Sequence, residues 1–131
     1  IGRDFLTELG ALKIDKDGNE LPFQSFIRPL APLSEKVIQL TGITNDMLTD
    51  APPLKEVLTQ FIEFLGDSKI IAHNAKFDVP YLLTGLIRHH IDYPDADIIC
   101  TLDWAKRTKE SSRSLGALTK KYNISIPSFI L

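Results

Sequence analysis

The sequence predicts an α/β domain in which helices flank a sheet that mixes antiparallel and parallel strands. Three observations carry this. A hairpin signal near the start is followed by helix, strand, helix, strand and helix, the alternation that lays parallel strands against helices. The run Ile70 to Leu83 passes from a short apolar stretch to a helical pattern through the polar pair His73 and Asn74. The chain has 131 residues, 44% hydrophobic and 24% charged, the balance of one soluble globular domain with a core of its own. Residues 1–131 therefore read as a single domain.

Phe5 to Ile14 is apolar-rich and ends at Asp15-Lys16-Asp17-Gly18-Asn19, a turn cluster, and Phe23, Phe26 and Ile27 follow as a second strand. Asp15 and Asp17 form a carboxylate pair, but acids flanking Gly and Asn are turn formers before they are ligands. Pro29 and Pro32 end the strand. Ser34 caps a short helix through Leu40 that stops at Gly42, and Thr44 caps another turn through Leu48. Leu54, Val57, Leu58, Phe61, Ile62 and Leu65 recur at helical spacing before Gly66, the clearest amphipathic helix in the chain.

Ile70 to Ala72 is then expected as a buried strand, too short for a helix. From Phe77 the apolar residues Val79, Leu82, Leu83, Leu86 and Ile87 return at helical spacing, with Pro80 in a first turn and Asn74 as the cap. Asp78 falls in that first turn, at the carboxyl end of a strand, where open α/β sheets place ligands. By spacing alone, an acid there is better explained by the helix dipole, because first-turn acids are common. His89 and His90 close the helix; adjacent helical residues point apart, so they make no metal site. Asp92 to Asp95 is a loop and Asp97 to Cys100 a second buried strand. Thr101 caps a helix holding Leu102, Trp104 and Ala105, with Asp103 in its first turn. Trp104 reads as core or interface rather than a platform for stacking bases. Lys106 to Arg113 is a small basic loop interrupted by Glu110. Ser114 caps the last helix, which carries Leu115, Leu118 and Tyr122 and ends by Asn123 and Pro127.

The hexamer His-Asn-Ala-Lys-Phe-Asp, residues 73–78, closely resembles the second motif of the DnaQ-like, DEDD-type 3′-5′ exonucleases. The similarity extends to Glu8–Ile14, to Leu40–Leu48, which looks like bacterial polymerase-associated members, and to Thr101-Leu102 and Ser114–Leu118. The resemblance implies a ribonuclease-H-like mixed sheet flanked by helices, here without its first strand. It implies that Asp78 is a catalytic, metal-holding carboxylate, serving two divalent ions, Mg2+ or Mn2+, in the complete site. It places His73 and Asn74 at the turn and cleft, with Asn74 a candidate substrate contact, and Thr41, Gly42 and Ile43 beside the nucleotide cleft, where local packing and capping explain them equally. The partners implied are a single-stranded DNA 3′ end and a polymerase subunit or fused module.

The family's Asp-x-Glu pair and its downstream general-base His followed by Asp have no counterparts: Asp4 and Glu8 do not form the pair, and no histidine follows His90. One carboxylate binds magnesium poorly, because that ion needs several oxygen ligands in octahedral order. The chain by itself is therefore expected to be inactive. It begins Ile1-Gly2, has its one methionine at 47, and ends in apolar residues, so it reads as a piece of a longer protein. The missing motifs then lie elsewhere in that protein or have been lost from it. Two alternatives follow: a catalytically silent module that binds a polymerase or nucleic acid, and an RNA-directed exonuclease, which these residues do not distinguish from a DNA enzyme.

A formal charge of −2 excludes the overall basic field of a protein that coats nucleic acid, though not an enzyme that takes one strand end into a metal site. No apolar run approaches the roughly 18 residues of a membrane span, and the start lacks the pattern of a signal peptide. A cytoplasmic setting follows. The one cysteine, Cys100, reads as a small buried hydrophobe and excludes an intrachain disulfide.

Overall fold

The computed structural model describes residues 7–29 and 32–125. Strands β1 (Glu8–Ile14) and β2 (Glu20–Phe26) form the antiparallel hairpin, pairing Glu8 with Phe26 and Ile14 with Glu20. Its turn is built by Asp15, whose Oδ1 accepts from the N–H groups of Asp17 and Asn19, both at 2.9 Å, while Gly18 takes φ 81°. The Asn19 N–H, foremost among these donors, holds the Asp15 carboxyl below the usual aspartate range. Asp15 is thus a turn acid and not half of a carboxylate site.

Helix α1 (Glu35–Thr41) starts at Ser34, whose hydroxyl accepts from Val37 N–H at 3.3 Å, and ends at Gly42 with φ 72°. Helix α2 (Asn45–Leu48) is capped by Thr44. Ile43, Leu48 and Ala51 form a small buried cluster under Phe26 and Leu33. Helix α3 (Leu54–Leu65) buries Val57, Leu58, Phe61 and Leu65, as its spacing predicts. The hairpin docks on it through Phe23, whose ring lies 5.6 Å from Phe61 and 5.3 Å from Phe64. Lys13 adds an ammonium bond to the Phe64 carbonyl at 2.9 Å.

Strand β3 (Ile70–Ala72) runs parallel to β4 (Ile98–Cys100), with Ala72 opposite Cys100. Helix α4 (Ala75–Arg88) lies between them in sequence; α5 (Thr101–Arg107) and α6 (Leu115–Lys121) follow. Both strand directions expected of the mixed sheet are present, but among the described residues they fall into two separate two-stranded ladders. That division leaves β3 and β4 only partly covered: Ile71 is 66% exposed and Ile98 46%. The expectation of buried strands is corrected accordingly, because among the described residues this pair has too few neighbouring strands to bury both faces.

Helix α4 begins two residues earlier than its apolar pattern suggests, which puts Pro80 in the second turn. There its ring removes one backbone hydrogen bond instead of an N–H that would be free anyway. Ile87, counted with the apolar face, is exposed. The face that does pack is centred on Gly85 and Leu86: a Cβ on Gly85 would lie 2.8 Å from Leu58 Cδ1, so the missing side chain is what lets α4 approach α3 closely.

Candidate active site

Parallel pairing of β3 with β4 aligns their carboxyl ends, and the chain leaves both strands directly into helices. His73, Asn74 and Asp78 belong to the first exit, Cys100 and Thr101 to the second. Asn74 occupies the N-cap position of α4 in the left-handed region, φ 65° and ψ 57°, with no capping bond from its side chain. Its role is to turn the chain sharply, a conformation that Asn tolerates better than most residues. The expected side-chain cap is absent because a left-handed residue aims its side chain away from the N–H groups that a β-region cap would reach.

Asp78 is in the first turn of α4 and exposed. Partial desolvation raises its carboxyl above the ordinary aspartate value, opposed by the nearby charge of His73. His73 is fixed from the second exit: its Nδ1 lies 3.0 Å from the Thr101 hydroxyl. That hydroxyl donates its hydrogen to the Ala72 carbonyl at 3.3 Å, so Nδ1–H is the donor to Thr101 and Nε2 is left for other contacts. Thr101 does not cap α5; it is the helix's first residue and ties the two exits together. Only the register Ala72 with Cys100 brings it to His73, 28 positions away, and no local pattern signals that.

Cys100 is also not a fully buried hydrophobe. Its sulfur accepts from the Ala75 N–H at 3.4 Å, and this bond, with those of Asp103, Leu102 and Asn74 behind it, lowers the thiol below its ordinary value. Helix dipoles explain the direction, since both helix starts face the sulfur.

Thr41, Gly42 and Ile43 form a different structure. The Thr41 hydroxyl donates to the Val37 carbonyl at 2.8 Å and accepts from Ile43 N–H at 3.1 Å. Gly42 closes α1 by bonding Ile38, and Ile43 is buried in the cluster with Leu48. Thr41 and Gly42 are exposed; the bend that carries them is held by its own bonds.

Exonuclease, the RNase_T family, matches residues 1–127. The chain belongs to this exonuclease family. It is 41% identical over 126 residues to the PolC-type DNA polymerase III of Staphylococcus haemolyticus and 38% identical to that of Bacillus cereus. In each case the match covers 94% of the chain and 9% of the relative. An exonuclease X structure in complex with 5′-overhanging duplex DNA is similar with a TM-score of 0.68 at 25% identity, over 95% of this chain and 70% of that one. E. coli exonuclease I bound to an oligonucleotide gives 0.75 at 17% identity, over 91% and 32%, which shows the shared fold. The RNase_T domain thus has the ribonuclease-H-like exonuclease architecture.

Exonucleases of this family use divalent metal ions. Asp78 offers the hard oxygen such an ion prefers, but among the described residues no three His, Cys, Asp or Glu side chains gather to hold one. His89 and His90, at the far end of α4, do not add to Asp78. The described residues therefore supply one fitting ligand and not a complete site.

Proposed function

We propose that residues 1–131 belong to a single, partial exonuclease domain that removes nucleotides from single-stranded DNA 3′ ends, proofreading within a cytoplasmic bacterial replicative polymerase. The observation that carries this reading is the position of Asp78, an exposed acid in the first turn of α4, just past the carboxyl end of a parallel strand. The similarity to PolC-type polymerases over 94% of the chain supports the polymerase setting. Asp78 would hold Mg2+ or Mn2+, two ions in the complete site, which supply activation of water and stabilisation of the leaving oxygen. His73 and Asn74, on the same turn, border the substrate. Thr41 and Gly42 meet it from their exposed bend, and Ile43 anchors that bend from below.

The test uses the full-length protein that carries this chain: release of nucleotides from 3′-labelled single-stranded DNA with magnesium or manganese, wild type against Asp78→Ala. Metal-dependent release that falls at least about 100-fold in a folded Asp78→Ala protein is the expected result. Unchanged release in the variant removes Asp78 from the site. No release from folded wild type with either metal replaces the enzyme by a silent binding module.

A further inference from the structure

Charge is distributed unevenly along the chain. Between residues 101 and 125 the six cations Lys106, Arg107, Lys109, Arg113, Lys120 and Lys121 stand against two acids, Asp103 and Glu110, a net +4 in a chain of −2. The rest therefore sums to −6. All six cations are exposed, whereas Glu110 is buried. Glu110 does not interrupt a solvated basic loop; it accepts from Lys121 and from the Tyr122 hydroxyl and so clamps the loop after α5 onto the end of α6. Among the described residues the other five cations make no ion pair.

Two aromatic rings lie among these charges. Trp104 is 39% exposed and Tyr122 46%, and their rings meet edge to face at 5.9 Å. Trp104 is therefore not a core residue; its contact with Tyr122 orients the ring while leaving part of it in solvent. A third feature connects this region with Cys100 at the second strand exit. Ile98, Ile99, Cys100, Asp103, Lys106 and Arg107 line an open groove of about 620 Å³. Its Cys100 is bonded to Ala75, in the same turn of α4 as Asp78.

We propose that α5, the Glu110 loop and α6 form a binding face for single-stranded nucleic acid, with Trp104 stacking on a base and Lys106 and Arg107 holding phosphates. Unneutralised cations interleaved with a partly exposed, oriented aromatic ring suit a polyanion whose bases have flat faces. An acidic protein surface would use the charges but has no need of the ring. The proposal deepens the exonuclease reading and rests on it for the direction in which the strand leads, along the groove towards Asp78.

The experiment measures binding without cutting. The full-length protein in the Asp78→Ala background is titrated against a 5′-fluorescein oligothymidylate over a range of salt, read by anisotropy. Lys106→Gln with Arg107→Gln is expected to make the slope of log affinity on log salt shallower by about 1.4, as for two lost phosphate contacts on a single strand. Trp104→Ala is expected to weaken binding about 5- to 100-fold, with Trp104→Phe retaining most of it. An abasic strand of the same length should bind wild type less well and be insensitive to Trp104→Ala. Circular dichroism establishes that each variant is folded. An unchanged salt slope in the double variant, or equal effects of Trp104→Ala on abasic and base-bearing strands, overturns the proposal. So does binding of an acidic polypeptide in place of either strand. The cutting assay with Asp78 intact is separate, so either reading can fail alone.

Discussion

Asn74 and Asp78 stand four positions apart and carry different burdens. The left-handed backbone at Asn74 costs most L residues about 1–2 kcal/mol, and its side chain makes no cap to offset this. Asn74→Gly should therefore leave chemical-denaturation stability unchanged within about 0.5 kcal/mol or raise it, and Asn74→Val should lower it by about 1–2 kcal/mol. Any loss of the proposed nuclease rate in full-length Asn74→Gly protein would then be the loss of the amide side chain and not of the turn. At Asp78 the folded state raises the carboxyl pKa, chiefly by desolvation. Ionised Asp78 thus weakens folding above its folded pKa, and this penalty vanishes as pH falls below the unfolded value. In metal-free buffer Asp78→Asn should gain stability at neutral pH, by under about 1 kcal/mol because the group is exposed. The gain should fade in acid, as followed by thermal melts across pH.

At the scale of elements, the contact of α3 with α4 depends on Gly85. Alanine there would gain about 0.5–1 kcal/mol of helix propensity, but its Cβ would meet Leu58, which is 0% exposed and has little room to yield. Overpacking of this kind costs about 1–3 kcal/mol, so Gly85→Ala should be net destabilising by about 1 kcal/mol in urea unfolding, and Gly85→Val by more. The two strand exits are a second elemental device. Thr101→Val keeps the volume and removes the hydroxyl that holds His73. In the full-length protein it should lower the proposed nuclease rate and cost about 1 kcal/mol of stability through the hydroxyl's lost bonds to His73 and the Ala72 carbonyl, and Thr101→Ser should restore both. The hairpin, the caps at Ser34 and Ser114 and the stripe of α3 were legible in the sequence because turns, caps and helical spacing are local signals. The start of α4 was not, since a left-handed Asn74 lets the helix begin before its apolar series does.

For the molecule as a whole, the arrangement of charge matters more than its sum. Lys121 and then Tyr122, bonded to Glu110, hold its carboxyl below the usual glutamate range. A depressed acid contributes stability that is present above its unfolded pKa and lost as pH falls through its folded pKa. Glu110→Gln should therefore lower the melting temperature at neutral pH, and the difference from wild type should shrink as the buffer is acidified below that range. The sequence presents Glu110 as a break in a basic run; the fold makes it the residue that holds α6 and the loop together.

By itself the sequence determined the α/β order, the hairpin turn, the amphipathic α3 and the hexamer that places Asp78 at a strand exit. Each of these is written within a few consecutive residues or one helical period. The tertiary structure alone decided that β3 and β4 are half exposed, that Thr101 fixes His73, that Cys100 receives N–H groups from two helix starts, and that Trp104 faces solvent beside Tyr122. These depend on strand register and on what packs against what, contacts between residues far apart in the chain. No local pattern encodes them, because the same side chains at the same spacing would be buried or exposed according to their neighbours in space.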